Sequence, residues 1–261
     1  MSHETLGIIG GTGWLGGAIA RAVLAKALLP TGNLVISNRS GSHPLAQQGA
    51  CLVTDNQALV DRSDIVILAV RPEHFARLNI KATGKTVISL MAGIKAQTIF
   101  AQTSASAVVR AMPNAAVEIE QSFTPWYCAG AIEATTRSLV QRLFECVGTA
   151  AEVQEEDFID YLSALSGTGP AFPALLMTAL ANQAMAAGIP SDIAQLAAKS
   201  VVVNSSQLLV SHDAQQMIDA LVAYRGVTAA ALQAMTHSHF EEQIGRALQA
   251  GAAVARKGLQ A

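Results

Sequence analysis

Charge is scarce in this sequence. Asp, Glu, Lys and Arg make up 14% of the 261 residues, and 19 acids against 17 bases leave a formal net charge of −2. A polyanion-binding face needs a basic excess that is missing, so no nucleic-acid partner is expected. Aromatic residues are also few, at 5%. With so much alanine, that shortage predicts closely packed small-residue helices, a subunit interface included. The three cysteines, Cys51, Cys128 and Cys146, are odd in number and widely spaced. They exclude a disulfide framework and a Cys-based metal site, and fit free thiols in a reducing compartment. His237 and His239 stand two apart, not at the i, i+4 spacing of a helical zinc pair, so no metal is expected. The start Met1-Ser2-His3-Glu4 has no basic n-region, and the apolar run behind it is short and rich in glycine. The expectation is a cytoplasmic protein without a secretory leader. The longest apolar stretch, 171–187, holds Asn182 and Gln183 and is flanked by prolines. It reads as a buried helix, not a membrane span.

What the sequence does have is 51% hydrophobic residues over a length that suggests two domains. Strands are expected at 6–9, 34–37, 65–70, 86–90 and 107–111, with helices at 16–28 and 135–146. Apolar strands alternating with helices predict a parallel sheet covered on both faces. Beyond about residue 155 the pattern is helical throughout, with segments at 157–164, 171–187, 191–211, 213–222, 228–239 and 240–255. An α/β domain at 1–152 followed by an all-α domain at 153–261 is therefore expected.

The sharpest local signal is Gly11-Thr12-Gly13-Trp14-Leu15-Gly16, directly after the first strand and opening a helix. In a dinucleotide fingerprint the first glycine permits the turn. The second lets a pyrophosphate approach, and the third lets helix and strand pack closely. The helix N-terminus then presents free N–H groups to the phosphates. The second strand runs into Ser37-Asn38-Arg39-Ser40, with no acid to hold ribose hydroxyls. Hydroxyls, an amide and a guanidinium suit a 2′-phosphate, which predicts NADP(H) rather than NAD(H). Ala69-Val70-Arg71-Pro72 ends another apolar strand, where ligands of such sheets gather. There Arg71 either faces the ligand or covers a sheet edge.

Together with later segments these residues resemble the pyrroline-5-carboxylate reductase family over nearly the whole chain. The further matches are Thr54-Asp55-Asn56-Gln57, Ala92-Gly93-Ile94, Arg110-Ala111-Met112-Pro113-Asn114 and, most distinctively, Ala164-Leu165-Ser166-Gly167-Thr168-Gly169-Pro170-Ala171-Phe172. The resemblance implies a Rossmann domain and a helical domain whose long helices intertwine in a homodimer, with dimers building into larger rings. It implies hydride transfer from NADPH to the imine carbon of a five-membered cyclic imine acid, giving L-proline. It also implies cofactor contacts from Gly11, Thr12, Gly13, Trp14, Leu15, Asn38, Arg39, Ser40, Asn56, Ala69, Val70, Arg71, Pro72, Ala92 and Asn114. Substrate contacts would come from Thr168, Gly226, Val227 and Thr228, with Thr228 the catalytic group.

The family's Ser-Pro-Gly-Gly-Thr-Thr-like loop is altered here to Ala223-Tyr224-Arg225-Gly226-Val227-Thr228. Arg225 stands where the family pattern has glycine. Two roles for Thr228 stay open: a hydroxyl that hydrogen-bonds the imine nitrogen, and a helix N-cap. Thr178 and Asn182 stand where relatives often carry acids. These departures leave two further readings, a reductase of another cyclic imine or oxo acid and a non-catalytic NADP-binding paralogue.

Overall fold

The computed structural model describes residues 4–38 and 40–257. It divides into two compact units, Met1–Thr168 with Gln249–Ala261, and Gly169–Leu248.

The first unit is built on one eight-stranded sheet in the order β3-β2-β1-β4-β5-β6-β7-β8. β1 (Leu6–Ile9), β2 (Leu34–Ser37) and β4 (Ile65–Leu68) are buried at every position. Unbroken runs of Ile, Val and Leu are what a parallel sheet covered on both faces requires. β3 (Cys51–Val53), β5 (Thr86–Ser89) and β6 (Ala107–Ala111) complete the parallel part. β7 (Ser122–Ala129) then runs antiparallel to β6, and β8 (Gly148–Glu152) pairs parallel to β7.

β3, β7 and β8 lie outside the strands expected from sequence. β3 has only three residues, and β8 reads Gly-Thr-Ala-Ala-Glu with no β-branched run. β7 contains Pro125, which demotes a segment as a strand. The proline is tolerated at the end of the β6 ladder, whose register stops at Trp126, because there it supplies its carbonyl, accepting the Met112 N–H at 3.0 Å.

The helices of this unit are α1 (Trp14–Ala25), α2 (Asn56–Asp61), α3 (Pro72–Phe75), α4 (Ala96–Thr103), α5 (Ala134–Glu145) and α6 (Glu156–Leu162). One apolar layer forms where α1 and α5 cover the sheet with Ile19, Val23, Leu139, Leu143 and Phe144. The other gathers Leu59, Val60, Phe75, Ile80 and Ile99.

The second unit is helical: α7 (Ala171–Ala186), α8 (Ser191–Lys199), a π turn (Ser200–Asn204), a 3₁₀ turn (Ser205–Val210), α9 (Ala214–Tyr224) and α10 (Val227–His237). α11 (Phe240–Lys257) begins in this unit and ends in the first. Here the expectation of a buried helix at 171–187 is corrected. Among the residues of α7 only Ala181 is buried, and Leu175 is 70% exposed. The helical run Glu156–Ala186 is long and apolar enough to cross a membrane by length and composition, at a mean hydropathy of 1.3. Apolar side chains on α7 and α8, Leu176, Leu180, Ile193 and Leu196 among them, find no cover within a single chain. Exposed apolar side chains in such number mark an interaction face.

Candidate functional site

The chain runs from β1 out to β2 and β3, then returns to β4 on the other side of β1. The carboxyl ends of β1 and β4 therefore open a crevice, the place where open parallel sheets take ligands. A cleft of about 720 Å³ lies there. Ile9, Gly10, Thr12 and Gly13 form its floor, Ser37, Asn38, Thr54 and Asn56 one wall, and Ala69, Val70, Arg71, His74 and Arg77 the other.

The floor is the turn from β1 into α1. Gly13 is the N-cap of α1 and no side chain caps the helix, so its first N–H groups remain for a ligand. The left-handed turn falls on Gly10, at φ 80°, not on Gly11. Gly11 is buried, and a Cβ there would meet Ile36 Cγ2 at 2.6 Å. A Cβ on Gly16 would meet the Gly10 carbonyl oxygen at 2.6 Å, so this third glycine sets the close approach of α1 to the strand ends.

Asp55 caps α2, accepting the Ala58 N–H at 2.7 Å, and so fixes Asn56 at the first helical position. Buried Ser37 donates to Asn56 Oδ1 at 2.7 Å. With its oxygen held, the Asn56 amide turns its NH₂ donors to the cleft. Asn38 lines the cleft too, but its side chain is spent on its own loop. Oδ1 accepts the Gly41 N–H at 2.8 Å, and Nδ2 donates to the Ser42 carbonyl at 3.0 Å. Ser40 likewise donates to Ser42 O at 3.0 Å and does not line the cleft. Arg39 lies outside the described residues.

Of the remaining expected cofactor contacts, Thr12, Gly13, Ala69, Val70 and Arg71 line the cleft. Trp14, Leu15, Pro72, Ala92 and Asn114 do not. The exposed Trp14 indole donates to the Glu118 carboxylate, Leu15 packs on the apolar core, and Pro72 starts α3. Sequence reasoning missed Gly10, His74 and Arg77. The signal for the last two was available, since basic residues at 71, 74 and 77 recur at a helix-face spacing behind a strand end.

A second, smaller pocket of about 170 Å³ in the same unit is lined by Ala92, Gly93, Ser163, Ala164, Thr168, Gly251, Val254 and Ala255. It brings together Ala92, expected at the cofactor, and Thr168, expected at the substrate. The Ser163–Gly167 segment beside it is a π turn continuing α6. Such turns concentrate at functional sites. Asn114 holds this segment from the sheet side. Its Nδ2 donates to the Ser166 carbonyl at 2.9 Å while its Oδ1 accepts the Ala116 N–H at 2.9 Å.

On α6 and its neighbours lies an ion network whose centre, Arg110 and Asp160, is buried. Arg110, 1% exposed on β6, donates to Glu156 Oε1 and to fully buried Asp160 Oδ1, each at 2.9 Å. Lys95 reaches Asp157 and Asp160, each at 2.7 Å. Burial pulls the Lys95 ammonium down, but its hydrogen bonds to the two aspartates prevail and its pKa is raised. The hydrogen bond from Lys95 and the charge behind it lower the Asp157 carboxyl. Burial raises the Cys128 and Cys146 thiols, which keeps them protonated and unreactive. Among the described residues no group of His, Cys, Asp and Glu is arranged to hold a metal.

In the second unit, α10 starts at the altered loop. Its N-cap is Gly226, at φ 90°, with no side-chain cap. The N-cap reading of Thr228 is thereby removed. Thr228 sits in the first turn, exposed, and its hydroxyl has no hydrogen-bond partner among the described residues. Arg225 stands at φ 64°, ψ −178°, a region that only glycine occupies freely. We expect Arg225→Gly to raise unfolding stability by about 1–3 kcal/mol, read from chemical denaturation, because the strain falls on the side chain's Cβ. No gain would mean that the loop relaxes at little cost.

Two family models match the chain. Residues 5–93 match the model for NADP oxidoreductase, coenzyme F420-dependent, and residues 156–258 match pyrroline-5-carboxylate reductase dimerisation. The chain is similar along nearly its whole length to pyrroline-5-carboxylate reductases. Its relatives include the pyrroline-5-carboxylate reductase of a Synechocystis strain, 29% identical over 94% of each chain. That of Pisum sativum is 26% identical over 97% of this chain and 95% of its own. Among solved structures, a pyrroline-5-carboxylate reductase from Coxiella burnetii superposes with a TM-score of 0.85 at 24% identity, covering 98% of both chains. The Streptococcus pyogenes enzyme gives 0.81 at 26% identity over 98% of this chain and 99% of its own. The Plasmodium falciparum pyrroline carboxylate reductase, whose structure has NADP bound, gives 0.80 at 22%, covering 98% of both. The dimerisation match, residues 156–258, spans the helices whose apolar side chains are exposed here.

Proposed function

We propose that this protein reduces 1-pyrroline-5-carboxylate to L-proline with NADPH. The observation that carries the reading is the join of two matches, a nucleotide-type cleft in the first unit and a reductase dimerisation region from residue 156, with relatives of that activity aligned end to end. The glycine floor fits the cofactor, because an added Cβ on Gly13 would lie 3.1 Å from the Gly10 carbonyl and fill the cradle. When bound, NADPH supplies the hydride that forms the new C–H bond at the imine carbon. The protein must hold the substrate and see that the nitrogen gains a proton as the C=N double bond becomes single. We assign Thr228 to the imine nitrogen. A threonine hydroxyl is too weak an acid to protonate it alone, so the role is to orient the group and relay a proton from water. Gly226 and Val227, with their backbone at the uncapped start of α10, are assigned to the substrate carboxylate. Thr168 is assigned to the substrate as well.

We place the functional division between residues 152 and 153, after β8 and before the dimerisation match. Homodimerisation covers the exposed apolar helices. We further propose assembly of dimers into rings, a cytoplasmic setting and no membrane partner.

The strained Arg225 favours a second reading, a substrate other than pyrroline-5-carboxylate within the same reaction class, because strain persists where function requires it. NADPH oxidation by the purified protein decides between the two, measured with pyrroline-5-carboxylate and with a panel of other cyclic imine and oxo acids. Turnover on pyrroline-5-carboxylate that falls about 10²-fold or more in Thr228→Ala supports the first reading. Turnover elsewhere in the panel supports the second. NADPH binding with no turnover on any panel member overturns both and leaves a non-catalytic nucleotide-binding protein.

A further inference from the structure

The smaller pocket of the first unit has three walls. Ala92 and Gly93 form one, on the loop between β5 and α4. Ser163, Ala164 and Thr168 form the second, on the π turn and just past it. Gly251, Val254 and Ala255 on α11 form the third. Direct packing joins the second and third, since a Cβ on Gly251 would meet Ala164 Cβ at 2.8 Å. The first wall is a loop whose glycine, Gly93, stands at φ 75°. Its distance from the π turn needs another restraint.

Lys95, two residues beyond Gly93, supplies it. The ammonium lies 2.7 Å from Asp157 Oδ1 and 2.7 Å from Asp160 Oδ2, both on α6. At the start of α4 the Ala96 N–H donates to Glu156 Oε1 at 2.8 Å, again on α6. α6 runs on into the π turn, so Ser163 and Ala164 follow Asp160 by three and four residues, one turn along the same run. The Asp160 carboxylate is fully buried and holds Arg110 on its other oxygen at 2.9 Å. Its position is therefore fixed from the sheet, and Lys95 passes that position on to the loop.

We infer that Lys95 is a positioning residue for the reduction, holding the Ala92–Gly93 wall at a set distance from the π turn and Thr168. The inference rests on the reductase reading, in which Ala92 belongs to the cofactor and Thr168 to the substrate. Lys95 does not line the pocket, so it acts through the loop. A misplacement of about 1 Å between reacting groups costs roughly a hundredfold in rate. With the Ala96 hydrogen bond still in place, loss of Lys95 alone should cost less than that.

Steady-state NADPH oxidation, on the cyclic imine acid that the wild type reduces fastest, tests this together with isothermal titration of NADP⁺. The proteins compared are the wild type, Lys95→Met and Lys95→Arg. Methionine keeps an unbranched side chain and removes the charge. The kcat of Lys95→Met should fall about tenfold. Its NADP⁺ binding should stay near the wild type's, because the large cleft includes no residue of this loop. Lys95→Arg should restore most of the rate, since it returns a cation to the two aspartates. Wild-type kcat in Lys95→Met would overturn the inference and leave the reductase reading standing. So would a parallel loss of NADP⁺ binding, which a general loosening of the fold produces, and so would a Lys95→Arg as slow as Lys95→Met. A wild type that reduces no cyclic imine acid would remove the reductase reading and this inference with it.

Discussion

Arg110→Ala should cost the folded protein about 3–5 kcal/mol, the largest loss expected from any single side chain of the ion network. Asp160 is fully buried and receives both Arg110 and Lys95; Glu156 receives Arg110 and the Ala96 N–H. Removing the guanidinium strands the buried Asp160 with a single partner and leaves the half-buried Glu156 with a neutral one. The cost arises from that uncompensated charge, not from the strength of the pair, since swapping the whole set for apolar groups is often neutral. Arg110→Lys should recover only part of the loss, because Arg110 meets Glu156 and Asp160 with two separate nitrogens of its planar fork, which a single ammonium does not reproduce. Urea denaturation of the three proteins measures this. Equal midpoints for wild type and Arg110→Ala would mean that the carboxylates take up water or protons at little cost.

The same network explains why Arg110 belongs to a recognisable motif without touching the cleft. It pins α6, whose π turn carries Ser166 and leads to Thr168. Three residues on from the end of β6, Asn114 fixes that turn through the Ser166 carbonyl. A sequence reading therefore assigned Asn114 to the cofactor from its place in the motif, while its side chain is consumed in holding backbone. Asn38 shows the same thing within the cleft.

Elsewhere the sequence was legible where local signals decide the structure. The glycine turn, the buried strands β1, β2 and β4, and the helical character after residue 155 follow from spacing and apolar runs. β7 and β8 were not legible, because Pro125 and the alanines of β8 carry no strand preference and their pairing comes from the neighbouring strands. The exposure of α7 was hidden for another reason. A helix apolar on all sides looks the same in sequence whether its cover comes from its own chain or from a second copy. Gly10 was overlooked because the glycines at 10 and 11 are adjacent, and only the backbone shows which of them turns left-handed.

That distinction carries the second large effect. Gly10→Ala should lower kcat/KM for NADPH about a hundredfold, the scale of an ångström's misplacement at a reacting pair. Gly10 has φ 80°, and an added Cβ would lie 2.7 Å from the Ala69 carbonyl oxygen and 3.0 Å from its carbon. The obstacle is backbone at the end of β4, so relief requires the turn after β1 and the end of β4 to part, which deforms the cleft floor. Gly32 supplies the control. Its φ is 89°, yet a Cβ there would meet nothing within 4 Å. Gly32→Ala should therefore lose only the left-handed cost of about 1–2 kcal/mol and keep its NADPH kinetics. Thermal melts and steady-state kinetics on both variants separate the two contributions. Matching kinetics for Gly10→Ala and Gly32→Ala would show that the left-handed backbone alone matters and that the approach of Ala69 does not.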